Sequence, residues 1–108
     1  LETITCRIHE NSFIARLAAW KLGVPAVAMV LGRTIHLYGA SREEFLADEH
    51  WVRHEVCHVK QYRQYGYGGF LWRYLLATAR QGYYHNHLEV AARAASEDPA
   101  IMENVEIV

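Results

Sequence analysis

The stretch Trp51 to Gln61 contains His54-Glu55-Val56-Cys57-His58, and no other part of the chain constrains the fold so strongly. On an α-helix, two histidines four residues apart lie one above the other on the same face, close enough to share a ligand. Both imidazoles then reach a single metal ion. Glu55, next to the first of them, is placed to act on a water at the metal rather than on the metal itself. The bland reading is a surface helix with two solvated histidines; a metal site requires in addition a third ligand brought to this helix from elsewhere.

The flanking sequence is consistent with such a helix. Ser41-Arg42-Glu43-Glu44 reads as a capping box, with Ser41 as N-cap and Glu44 three residues on. From there Phe45, Leu46, Trp51, Val52, Val56 and Val59 continue an apolar pattern to about Tyr65, with a break expected near Asp48 to His50. Upstream, Glu2 to Glu10 alternates Ile4, Cys6 and Ile8 with polar residues, the pattern of a half-buried strand. A first helix is expected over residues 12–22, stopped by Gly23 and Pro25. Ala26 to Leu31 and Thr34 to Tyr38, joined by Gly32-Arg33, read as a β-hairpin. Downstream, Gly66-Tyr67-Gly68-Gly69 reads as a flexible loop and Phe70 to Gln81 as a helix closed by Gly82. The alanine-rich segment through Ser96 is a further helix, ended by Asp98-Pro99. Residues 101–108 have weak strand character. The expected fold is α+β: a small, mostly antiparallel sheet of about three strands on about three to four helices, one of them carrying the motif.

Catalytic zinc takes three protein ligands and leaves a fourth place open. His50 lies on the same face as the pair, but two turns separate it from His58 by about 12 Å. It reads as a neighbouring histidine, not a ligand. Glu89, thirty-one residues after His58 and on a separate helix, is the stronger candidate. The competing reading is that Asn86-x-x-Glu89 is itself a capping box and Glu89 only closes a helix N-terminus. His85 and His87, on the approach to that helix, are the remaining candidates.

A HExxH helix followed by a glutamate from a later helix resembles the gluzincin group of zinc metallopeptidases. The short chain is similar to the minimal members called minigluzincins and to bacterial zincin-like domains of this size. The resemblance covers about residues 26–96. It implies a zincin-like minimal catalytic domain in which His54, His58 and Glu89 hold Zn2+ and Glu55 is the general base. It also implies that an extended peptide substrate pairs with an edge strand above the cleft. Thr34, Ile35, His36, Leu37 and Tyr38, or alternatively Ala26 to Leu31, are the segments available for that edge. Tyr83, Tyr84, His85 and His87 lie beside the expected third ligand, as oxyanion donors or supporting residues. The chain departs from the group in carrying Lys60 where an apolar residue is usual. It also lacks the downstream half-domain with which larger members wall the substrate cleft.

Composition excludes some partners. The chain is 108 residues long, the size of a single domain, with residues 97–108 as a peripheral tail. Eleven basic and twelve acidic side chains leave nothing to attract nucleic acid or an anionic membrane. Neither a membrane-spanning run nor a signal peptide is visible, which points to the cytoplasm. The chain starts at Leu1, not Met, and a longer parent chain stays open. Two cysteines, Cys6 and Cys57, make no disulfide framework. The aromatic run Tyr62, Tyr65, Tyr67, Phe70, Trp72 and Tyr74 is expected to be mostly core, with the remainder available for self-association or for covering the cleft. The functional expectation is a zinc-dependent metallopeptidase acting on a peptide or protein substrate. The alternative is a regulatory or interaction module that keeps the zinc and the fold without hydrolysis.

Overall fold

A computed structural model describes residues 2–108. The elements in order are β1 (Ile4–His9), α1 (Phe13–Leu22), β2 (Val27–Leu31), β3 (Thr34–Tyr38), α2 (Arg42–Ala47), α3 (Glu49–Tyr65), α4 (Tyr67–His85), α5 (His87–Ala95), a 3-10 turn (Pro99–Met102) and β4 (Val105–Ile107). The sheet order is β2-β3-β1-β4. The β2–β3 hairpin is antiparallel, with Val27 opposite Tyr38 and Leu31 opposite Thr34. β1 runs parallel to both β3 and β4.

The class is α+β as expected, but the sheet is mixed rather than mostly antiparallel. Among the described residues it has four strands instead of about three, accompanied by five α-helices. Parallel pairing needs a long intervening connection, which α1 and β2 supply between β1 and β3; alternation along single strands does not reveal it. The fourth strand comes from the tail. The weak strand character read there is realised as β4, whose Val105 and Ile107 pair with β1 at Ile4 and Cys6.

Local sequence explains most boundaries. Ser12 caps α1, and Gly23 at φ 69° ends it with its N–H on Ala19 and Trp20 carbonyls. The Ser41–Glu44 capping box forms in both directions, each bond 3.1 Å. Asp48 breaks the run as expected, ending α2 and capping α3 through Trp51 N–H. Gly66 precedes α4 directly, and Tyr67 to Gly69 form its first turn, not a loop. Helical hydrogen bonding there outweighs the poor propensity of the two glycines. Gly82, at φ 79° and ψ 166°, interrupts α4 where the sequence predicts its end.

The core lies between one face of the sheet and the helices. Cys6, Val30, Ile35 and Leu37 come from the strands, and Phe45, Val52, Val56, Val59, Tyr62, Phe70 and Leu88 from the helices. Val52, Val56 and Val59 form one stripe of α3 at helical spacing. Burying each large side chain stabilises the fold by roughly 1.5–3 kcal/mol. α3 is thereby held against the sheet on one side, and its adjoining face, with His54, Glu55 and His58, is turned along β2, α4 and α5. Among the described residues, no helix is long and apolar enough to cross a membrane.

Candidate metal centre

α3 places His54 and His58 one turn apart, with ring centroids 5.1 Å from each other. α5 packs against α3 and delivers Glu89 to them. Glu89 Oε1 lies 3.1 Å from His54 Nε2 and 3.2 Å from His58 Nε2. One ligand atom from each of the three residues falls within a 4.8 Å span. His58 and Glu89 are buried, and His54 is partly open. The expected trio is thus brought together.

The surroundings of His58 bear on what the trio holds. Gln61 donates through Nε2 to the Leu88 carbonyl, at 3.0 Å, which turns its Oε1 toward His58 Nδ1 at 2.8 Å. Nδ1 is then the protonated nitrogen of a neutral ring, and the Nε2 lone pair points at a carboxylate oxygen. Two lone pairs facing each other in a buried place need a cation between them. A proton on Nε2 is one solution. A divalent ion is the other, and the observed 3.1 and 3.2 Å separations are close to the edge, about 3.3 Å, of a tetrahedron of ligands around zinc. The N,N,O donor set also suits zinc. The residues fit the group.

Glu89 is anchored on both sides. Its Oε2 accepts a 2.5 Å hydrogen bond from Tyr74 Oη, leaving Oε1 for the imidazoles. The capping-box alternative is half present. Asn86 is indeed the N-cap of α5, its Oδ1 accepting from Leu88 N–H, but the Glu89 side chain does not return to the Asn86 backbone. Asn86, wholly buried, also donates to the Tyr74 carbonyl and the Thr78 hydroxyl, tying α5 to α4. Burial alone would raise the Glu89 carboxyl. Hydrogen bonds from His54, His58 and Tyr74 outweigh it and hold the group well below the ordinary carboxylate range. Burial works the other way on His58, where contact with Glu89 prevails and raises the imidazole.

Glu55 has a different environment. It is 5% exposed, yet it lines both cavities flanking the trio. Burial pushes its carboxyl up to about 7, against the pull of His58 and His54 and with the help of Glu89.

One cavity, of about 400 Å³, is walled by Leu22, Met29, Leu31, Leu71 and other apolar side chains. The other, of about 490 Å³, includes Asp48, His50 and Ser96. They share His54, Glu55, Tyr83, Val27 and Ala28, and so form one groove running along β2 past the trio. β2 is the outer strand of the sheet. The segment Thr34, Ile35, His36, Leu37 and Tyr38 is β3, paired with β2 on one side and, through Thr34 to His36, with β1 on the other. The free edge on this side of the sheet is therefore β2, the second of the two segments expected, and not Thr34 to Tyr38. Crossing from β1 back through the hairpin puts β3 inside the sheet.

Of the four residues expected beside the ligand, only Tyr83 lines the groove. The residue is 59% exposed overall; partial desolvation against the groove, with the nearby Glu89 and Glu55 carboxylates, raises its phenol, so it stays a neutral donor. Tyr84 is exposed under the Arg93 guanidinium, 4.1 Å from its ring centre, and His85 stacks edge-on against Tyr84. His87 is exposed at the start of α5. None of these three lines either cavity. His50 pairs with Glu97 at 3.3 Å and is not among the converging ligands. Gln61 and Tyr74, which complete the site, escape the sequence reading. Gln61 sits one turn beyond His58 on the same face, a signal that was there to be used; Tyr74 depends on how α4 docks and has none.

A family model, the eCIS core domain, matches residues 4–66. That span covers β1 through α3, including His54, Glu55 and His58, and ends before Glu89. Searches of curated proteins and of solved structures gave no match.

Proposed function

The chain belongs to the eCIS core domain family, and we propose that its His54–His58–Glu89 cluster is the zinc site of a metallopeptidase with Glu55 as general base. The observation that carries this reading is geometric: Glu89 Oε1 stands 3.1 and 3.2 Å from the Nε2 atoms of two histidines one helical turn apart, and a second buried carboxylate, Glu55, lines the groove beside them without joining the cluster. Zinc at the trio would supply a Lewis acid that lowers the pKa of water and polarises a carbonyl.

The rest is done by the chain. An extended peptide lies along the free edge of β2, which presents backbone hydrogen-bonding groups to it. Its scissile bond rests where the two cavities meet, beside Glu55 and Tyr83. Glu55 takes a proton from the attacking water and returns it to the departing amine. The Tyr83 hydroxyl, protonated at all physiological pH, donates toward the oxygen that gains charge. Tyr74 and Gln61 hold Glu89 and His58 in place, and Tyr74 also lines the apolar cavity.

The family is described as a core domain of extracellular contractile injection systems, and that description favours a second reading: a module that keeps the metal for assembly and does not hydrolyse peptides. Incubation with a mixture of unfolded peptides separates the two. The peptidase reading expects cleavage that stops with chelator and is lost in Glu55→Gln while bound zinc is retained. Full metal loading with no cleavage of any peptide would leave the second reading.

A further inference from the structure

α1 carries two opposed faces. Ala15 and Ala19 are buried against the β2–β3 hairpin. On the other side Phe13, Leu17 and Trp20 follow one another at i, i+4 and i+7, 69%, 50% and 82% exposed, and Val24 prolongs the line past the Gly23 cap. Ile14 widens it on one flank. A soluble domain rarely leaves so continuous an apolar line uncovered. The four–three spacing is that of a helix–helix seam, in which each side chain enters a gap on a facing helix.

Charge says what kind of helix. At 100° per residue, Arg16 falls on one flank of the seam and Lys21 on the other. Both are exposed, neither has an ion-pair partner among the described residues, and α1 itself holds no acidic residue. A second copy of α1 would set these cations against each other. An anionic membrane would gain from only two cations, in a chain whose net charge is −1. We propose that the outer face of α1 is a docking seat for an amphipathic helix of another protein, one whose apolar seam is flanked by carboxylates. The seat is separate from the groove: only Ala18 and Leu22, on the far side of α1, reach the cavity beside the trio. The inference therefore stands whether or not the chain hydrolyses peptides.

The test uses two stapled helical peptides, each with leucine at i, i+4 and i+7, one flanked by glutamates and its twin by lysines. Fluorescence anisotropy of the labelled peptides against the whole protein should show the glutamate peptide binding at least about tenfold more tightly, less so at high salt. Arg16→Glu with Lys21→Glu should reverse the order while circular dichroism and zinc content stay unchanged. Leu17→Asp should abolish binding of both. Equal binding of the twins, or none, overturns the proposal. So does a concentration-dependent dimer that excludes the peptide. Preferential sedimentation with vesicles of phosphatidylcholine and phosphatidylserine, not competed by the glutamate peptide, overturns it as well.

Discussion

The Gln61 side chain joins two helices at the site, accepting from His58 Nδ1 at 2.8 Å on α3 and donating to the Leu88 carbonyl, next to Glu89, on α5. One amide thus sets the ring orientation of one ligand and the distance to another. Gln61→Ala should weaken zinc affinity by roughly 10–100-fold with the fold retained. Competition with a chromophoric chelator measures this, and an unchanged affinity removes Gln61 from the site.

Tyr74 acts on the opposite side of Glu89. Tyr74→Phe deletes the hydroxyl bonded to Oε2 and keeps the ring between His58 and Phe70. A hydrogen bond to a charged group contributes about 1.5–3 kcal/mol. Zinc affinity should therefore fall by about tenfold or more. A variant that binds as the parent does would mean that Glu89 is held by the imidazoles alone.

Asn86 couples α4 to α5 through three hydrogen bonds from one buried side chain. Asn86→Ala removes the cap of α5 and strands the Thr78 hydroxyl and Leu88 N–H. Destabilisation of roughly 2–4 kcal/mol is expected. Denaturant unfolding of the metal-free protein reads it directly, and a change under about 0.5 kcal/mol would show that the coupling is not structural.

The pH dependence of metal-free stability follows from Glu55 and His58. Glu55 is raised from 4.5 to about 7, so its contribution is complete below the unfolded value and disappears as pH rises through about 7. A shift of that size corresponds to roughly 3 kcal/mol. His58 is raised as well, and its contribution is lost in the same direction. Glu89, which is lowered, works oppositely, its contribution being lost as pH falls from 4.5. Metal-free protein should be most stable near about pH 5 and lose stability toward about pH 8. With saturating zinc the decline should flatten or reverse, because the metal takes the place of the His58 proton. Thermal melts with and without zinc test both slopes; stability of the metal-free protein that rises from pH 5 to 8 contradicts the assignment.

What the sequence discloses is what local chemistry decides. The Ser41–Glu44 box, the Asp48 break and the alternation of Ile4, Cys6 and Ile8 all depend on neighbours in the chain, and all appear as read. The His54–His58 pairing follows from helix geometry alone. Glu89 was reachable because a third ligand had to come from another helix. The parallel β1–β3 pairing, the role of Val105–Ile107 and the interior position of Thr34–Tyr38 depend on how strands cross, which no periodicity encodes. Tyr74 reaches Glu89 across the α4–α5 contact that Asn86 helps to tie together, a tertiary fact.

Metal content decides the central claim. Elemental analysis of protein dialysed against zinc should find one ion per chain, and His58→Ala and Glu89→Gln should each reduce it to a small fraction while remaining folded. Parent protein without stoichiometric metal, or variants that retain it in full, would contradict the account.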